Sequence, residues 1–294
     1  MILTNAIRDT ALIFEGGGMR GAFTAGVVTQ LLAAGLTCDY VAGISAGTSN
    51  LVNYLSRDPE RARKSFVEFG DDPNFGSWRT WLKGQGLFNA DYIYEQTWLP
   101  AGRLPFDFDA FMANPARWRI GAYDATAGET VYWSRDDIAT AADLMRRVRA
   151  SSSIPLMMPP VGIDGRVYVD GALGKGGGIP LTIAQRDGFT RFFVVLTRPR
   201  AYVKRPYKWT PLLRAAYRSY PAIADGVARR AAEYNATRDE LLALEAAGRA
   251  CLVFPEDMTI TNRTHDVPAL RACFDSGVAQ ARRDLPRWTE FLTG

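Results

Sequence analysis

Glu15-Gly16-Gly17-Gly18-Met19-Arg20-Gly21 and, further along, Gly43-Ile44-Ser45-Ala46-Gly47 are the two stretches on which the fold is read. Each follows a short apolar run, Ala11-Leu12-Ile13-Phe14 in the first case and Tyr40-Val41-Ala42 in the second. Each opens a helical pattern. From Gly21 to Gly35, apolar residues recur at Ala22, Ala25, Val28, Leu31 and Leu32, and Gly35 is a C-terminal stop signal. The second helix is expected from Ala46 towards Ser56. Strand, glycine turn and helix, twice in succession, predict an α/β fold with a mainly parallel sheet.

The remaining pattern agrees. Arg119–Asp124 and Glu129–Trp133 read as strands, and Ala141–Ala150 as a helix. Asp164-Gly165 between two alternating runs is a hairpin signal. Phe192-Phe193-Val194-Val195-Leu196 is the strongest strand, and Cys251-Leu252-Val253-Phe254 a late one. Long helices are expected at about 211–247 and 267–293, short ones at Asp91–Trp98 and Phe106–Ala113, and a long loop over 70–90. With no repeat and no linker, residues 1–294 read as a single domain with a helical annex at about 210–294.

Composition bounds the class. Hydrophobic content of 47% and charged content of 22% are those of a globular chain. No apolar run reaches the roughly 20 residues needed to span a bilayer, and Met1–Asn5 lacks the basic and apolar segments of a secretory leader. Cys38, Cys251 and Cys273 are odd in number and widely spaced, which suits a reduced cytoplasmic protein without disulfides or a metal cluster. A net charge of +4 does not point to nucleic acid. Between Gly188 and Ala224, however, there is no Asp or Glu, and basic residues alternate with Tyr202, Tyr207, Trp209, Tyr217 and Tyr220. That mixture suits peripheral contact with an anionic membrane, or else a solvated basic face.

Gly43-Ile44-Ser45-Ala46-Gly47 fits G-x-S-x-G, the turn that exposes a nucleophilic serine, with Gly43 and Gly47 allowing the sharp bend. The alternative for Ser45 is a helix N-cap, and one residue can be both. The backbone N–H groups of Gly16, Gly17, Gly18, Met19 and Arg20 form a loop able to hold an oxyanion. Gly16, Gly18 and Gly21 also satisfy the dinucleotide fingerprint. That reading needs an acid at the end of the second strand, and Asp39 lies before that strand instead. The one histidine, His265, sits in a turn-like segment and is a poor candidate base. Asp170 ends a strand and precedes Gly171-Ala172, so its carboxylate is better placed to take a proton.

Three blocks, Gly16–Gly21, Gly43–Gly47 and Asp170-Gly171-Ala172, resemble in order and spacing the motifs of the patatin-like phospholipases. Arg149-Ala150-Ser151-Ser152-Ser153-Ile154-Pro155 is similar to that family's small-residue stretch, and reads as a wall or cap near the site. The likeness covers about residues 10–200 and is nearest to bacterial single-domain members. It implies a three-layer α/β/α sandwich and a Ser45–Asp170 dyad without histidine. Gly16, Gly17 and Gly18 would supply the oxyanion hole, with Arg20 beside it. The implied activity is hydrolysis of acyl esters in phospholipids or other lipids, with no metal or organic cofactor. A catalytically silent lipid-binding protein of the same fold is the alternative. Gly174-Lys175-Gly176-Gly177-Gly178 lacks the phosphate-loop pattern and reads as a loop beside the site.

Overall fold

The computed structural model describes residues 4–76 and 87–294. The first half runs β1 (Thr10–Phe14), α1 (Gly21–Ala33), β2 (Tyr40–Ile44), α2 (Ala46–Leu55), α3 (Pro59–Phe66), α4 (Phe108–Ala113), β3 (Arg117–Asp124), β4 (Glu129–Trp133) and α5 (Ala141–Ser152). The second runs β5 (Val161–Ile163), β6 (Arg166–Asp170), α6 (Leu181–Arg186), β7 (Arg191–Val195), α7 (Thr210–Ala216), α8 (Pro221–Ala246), β8 (Ala250–Val253) and α9 (Val267–Thr293).

The sheet is centred on β1, which pairs in parallel with β2 on one side and β7 on the other. β3 extends the parallel part beyond β2, and β8 extends it beyond β7. Strands buried on both faces need apolar residues at every position. In β1, Leu12 and Phe14 join the core beneath α1 and α9, whereas Ala11 and Ile13 join the core beneath α6 and α8. Helices thus cover both faces of the sheet, giving the three expected layers. Helix α9 lies close on α1 because both are bare at the crossing. A Cβ on Gly26 would stand 2.3 Å from the Phe274 carbonyl oxygen, and one on Gly277 the same distance from that of Phe23.

The far edge of the sheet positions the site. β3 pairs with β2 over Arg117–Gly121, and antiparallel with β4 over Ile120–Asp124. These ranges overlap, so β2 and β4 occupy opposite edges of β3. β6 pairs antiparallel with β3 over Ala122–Asp124, where β4 already fills its own edge. β6 therefore shares the β2 edge. β2 runs up it and ends at Ile44 opposite Gly121, and β6 runs down it and ends at Asp170 opposite Ala122. Two strands distant in sequence meet end to end. The β5–β6 hairpin that makes this possible turns on Asp164 and Gly165, at φ 49° and 75°, the pair of left-handed residues that a two-residue type I′ turn requires.

Three expectations are adjusted. The helix expected over about 211–247 is broken at Tyr217–Tyr220 and restarts at Pro221, a residue suited to a first helical turn. Asp91–Trp98 contains a π-helical turn at Tyr92–Gln96 in place of an α-helix. The loop expected over 70–90 includes residues 77–86, which lie outside the described residues.

Candidate active site

Ser45 stands between the last residue of β2 and the first of α2, at φ 56° and ψ −128°. A non-glycine residue there carries strain of about 1–3 kcal/mol, held by its surroundings. The surroundings are visible. A Cβ on Gly43 would lie 2.6 Å from the Gly47 carbonyl oxygen, and one on Gly47 would lie 2.2 Å from that of Phe14. The elbow is folded tightly against the end of β1, and both motif glycines are required by contact. The Ser45 N–H donates to the Ser151 hydroxyl at 2.9 Å, and that hydroxyl donates to the Gly121 carbonyl oxygen.

The Ser45 hydroxyl donates to Asp170 Oδ2 at 2.8 Å, and both residues are buried. Asp170 is itself fixed. Its Oδ1 accepts the Ala172 N–H at 2.8 Å, and its own N–H donates to the Ser153 carbonyl oxygen at 2.9 Å. Burial raises its pKa above the usual 3.8, while Arg230, the Ala172 N–H, the Ser45 hydroxyl and Lys204 pull the other way. The Ser151–Ser153 run thus braces both partners, the Ser45 side through a hydroxyl and the Asp170 side through a carbonyl.

The glycine loop curls over this pair. A Cβ on Gly16 would lie 3.0 Å from that of Ser45. Of the five loop residues expected to offer N–H groups, three are engaged. The Gly16 N–H donates to Gly178, the Met19 N–H to Asn262 and the Arg20 N–H back to Gly17. The N–H groups of Gly17 and Gly18 have no hydrogen-bond partner among the described residues. Gly18 is left-handed, at φ 55°, and a Cβ there would meet the Asn262 carbonyl oxygen at 2.6 Å. Gly17 is extended, at φ −170°. Its side-chain position is instead filled by Thr197, whose hydroxyl donates to the Gly16 carbonyl oxygen.

Ser45 lines a cavity of about 860 Å3, a volume that includes its open, solvent-filled mouth. Gly18, Ala46 and Ser152 border the serine, and Phe66, Phe69, Phe88, Ile93, Met145 and Val148 form the apolar interior. His265 makes no hydrogen bond to Ser45 or Asp170 among the described residues. Its ring packs edge-on to Phe75 and tilted on Phe88, centroids 5.2 and 5.4 Å away, and burial lowers its pKa. Asn262, Thr197 and Ser151 support the site without standing in any of the three motifs. Ser151 and Thr197 lie in stretches that the sequence marks for other reasons, and Asn262 lies in none.

The basic stretch is more engaged than its composition suggests. Arg191 pairs with Asp9, Arg200 with Glu245 and Arg214 with Asp225. Arg205, Lys208 and Arg218 are exposed and make no ion pair among the described residues. Beside them Val203, Tyr207, Trp209 and Leu212 are exposed. Tyr217 at the end of α7 reaches the cavity side of the molecule, its hydroxyl accepting the N–H of exposed Leu156 at 2.7 Å. Among the described residues no helix is long and apolar enough to cross a membrane.

Comparison with known proteins bears on the fold and the family. An uncharacterized protein, YjjU of Escherichia coli K12, is 30% identical over 207 residues, spanning 68% of this chain and 56% of that protein. Lysophospholipase NTE1 of Mycosarcoma maydis is 26% identical over 224 residues, 69% of this chain but only 11% of that much longer protein. VipD from Legionella pneumophila shares the fold, with a TM-score of 0.50 at 13% identity over 96% of this chain and 68% of that one. Residues 220–293 match a domain family of unknown function. Residues 12–184, which hold the end of β1, the glycine loop, the serine elbow and Asp170, match the patatin-like phospholipase model. The chain belongs to the patatin-like phospholipase family.

Proposed function

We propose that this protein is a serine acyl hydrolase that cleaves the acyl esters of phospholipids or related lipids with a Ser45–Asp170 dyad. The observation that carries this is the 2.8 Å hydrogen bond to a buried carboxylate from the hydroxyl of Ser45, a residue that lines an apolar cavity. The family and the lysophospholipase relative support a lipid substrate.

In this reading the acyl chain lies among Phe66, Phe69 and Met145, which brings the ester carbonyl to Ser45. Asp170 accepts the hydroxyl proton as Ser45 Oγ bonds to the carbonyl carbon. The oxyanion is met by the free N–H groups of Gly17 and Gly18 and by the N-terminus of α2. Collapse of the intermediate expels the alcohol, which takes the proton from Asp170. A water then gives its proton to Asp170, attacks the acyl-enzyme and releases the fatty acid with Ser45 restored. The raised pKa of Asp170 brings it nearer the operating pH than an ordinary carboxylate, as a general base requires.

The reading treats residues 1–294 as one domain, since β8 and α9 from the annex complete the sheet edge and cover α1. It places the protein in the cytoplasm at an anionic membrane face. The free, buried cysteines support the compartment, and the exposed Val203–Leu212 patch with Arg205, Lys208 and Arg218 supports the membrane contact. A fluorophosphonate probe tests the core of the proposal. It should label wild type and leave Ser45→Ala unlabelled. Absence of labelling in folded wild type would favour a silent lipid-binding protein.

A further inference from the structure

Next to the glycine loop, and outside the lining of the apolar cavity, lies a group of cations that the hydrolytic steps do not use. Arg20 follows the glycines, Arg198 and Lys204 follow β7, and Arg230 lies on α8. None of the four side chains makes a hydrogen bond or ion pair among the described residues. The Nε atoms of Arg20, Arg198 and Arg230 are buried without a partner, and the whole of Arg20 is 94% buried by its 6% exposure. Two carboxylates lie within their reach: Glu15, whose Oε2 is already taken by the Thr197 N–H at 2.6 Å, and Asp170, whose oxygens are taken by the Ser45 hydroxyl and the Ala172 N–H.

The group is held in place. Lys204 Nζ sits 4.1 Å from the Tyr234 ring centre and 5.7 Å from that of Tyr202, while the Arg198 guanidinium stacks 4.3 Å from Tyr202. The Lys204 backbone is pinned from both sides by Asn235, which accepts its N–H at 2.9 Å and donates to its carbonyl oxygen at 3.0 Å. Burial, and then repulsion by Arg230, pushes the Lys204 ammonium down to about 7, an effect that Glu15 offsets only in part. Half-buried cations in excess of their counter-charges are costly unless an anion joins them. Three forked guanidinium groups and an ammonium suit a phosphate. The cluster also reaches the dyad, since Arg230 and Lys204 both act on Asp170.

We propose that Arg198, Lys204 and Arg230, backed by Arg20, form a phosphate-binding subsite that seats the headgroup phosphate of the lipid whose acyl chain fills the cavity. The proposal rests on the acyl-hydrolase reading. It narrows the substrates to phosphate-bearing lipids with Ser45 between the two ends.

Binding separates this from turnover. Full-length Ser45→Ala protein is titrated calorimetrically with a monomeric short-chain lysophosphatidate and with the monoacylglycerol of the same chain. The phosphate-bearing lipid should bind about tenfold or more tightly, the scale of charge-assisted hydrogen bonds. Lys204→Gln with Arg230→Gln should bring the ratio close to one. Arg198→Gln, on the loop after β7, is the second variant should the pair fail to fold, and should also lower the ratio. Inorganic phosphate at constant ionic strength identifies the source. Competition with lysophosphatidate means that the headgroup phosphate occupies the subsite. Phosphate binding that depends on these residues but leaves the lipid bound would mean a free-phosphate site and overturn the headgroup assignment. A lipid ratio that the variants do not move, with no phosphate binding, overturns the subsite altogether. Failure of probe labelling at Ser45 with the binding ratio intact would sink the hydrolase reading alone.

Discussion

Asp170→Asn should separate activity from stability. The substitution preserves shape. The asparagine Oδ1 keeps the Ala172 N–H that Asp170 Oδ1 accepts at 2.8 Å, and the amide nitrogen replaces Oδ2, 2.8 Å from the Ser45 hydroxyl. The amide then donates to Ser45 Oγ and leaves the serine proton without an acceptor. Loss of a positioned general base is worth about 10²–10⁴ in rate, or roughly 3–5 kcal/mol of barrier. Stability should move the other way. Burial raises the folded pKa of Asp170, so its favourable contribution is present below its unfolded pKa and is lost as pH rises through the folded value. At neutral pH the buried charge is a burden, and the neutral amide should melt at the same temperature or higher. The pH–rate profile of wild type should have an acid limb above the ordinary carboxylate value of 3.8, and His265→Ala should keep it. Steady-state hydrolysis of a soluble ester and thermal melts are the assays. A folded Asp170→Asn enzyme with a tenth or more of wild-type kcat would refute the dyad, as would an inactive His265→Ala protein that is folded.

Other expectations are more local. Gly17→Ala should lower kcat about 10²-fold or more, because its Cβ would stand 2.7 Å from Thr197 Oγ1 and move the loop that presents the Gly17 and Gly18 N–H groups; unchanged kcat in folded protein would remove those groups from the oxyanion site. His265→Ala should cost about 1 kcal/mol of stability in denaturant unfolding, from its contacts with Phe75 and Phe88. Met145→Trp narrows the apolar cavity and should cut kcat/KM for long acyl chains about tenfold relative to short ones; an unaltered chain-length profile would place the acyl group elsewhere. Neutralising Arg205, Lys208 and Arg218 together should weaken binding to anionic vesicles about 100-fold, at about 1 kcal/mol per charge; unchanged sedimentation with vesicles would leave that face merely solvated.

The parts of the site that were legible in the sequence are those set by local backbone chemistry. Gly43, Gly47 and Gly16 stand where a Cβ would strike a neighbouring turn, so the glycine pattern records the geometry directly. Asp170 was legible because it follows an alternating strand and precedes a glycine. The holders were not. Asn262 packs on Gly18 from a segment with no local signature, and Thr197 fills the space beside Gly17 from the end of a strand whose apolar pattern says nothing of that contact. The basic stretch misleads for a related reason. Composition counts Arg198, Arg200 and Lys204 alike, but tertiary packing turns the first and last inward and pairs the second with Glu245. The break at Tyr217–Tyr220 was marked by Pro221, although the apolar pattern runs through it.

The end-to-end meeting of β2 and β6 along one edge of β3 also sets a biosynthetic order. Ser45 leaves the ribosome well before Asp170, and β3 must be in place before the β5–β6 hairpin can add beside it. A nascent or truncated chain that already carries the elbow lacks the carboxylate that Ser45 meets in the folded protein. If the proposed mechanism holds, hydrolysis therefore begins only when the hairpin docks, so the half-made chain is inert.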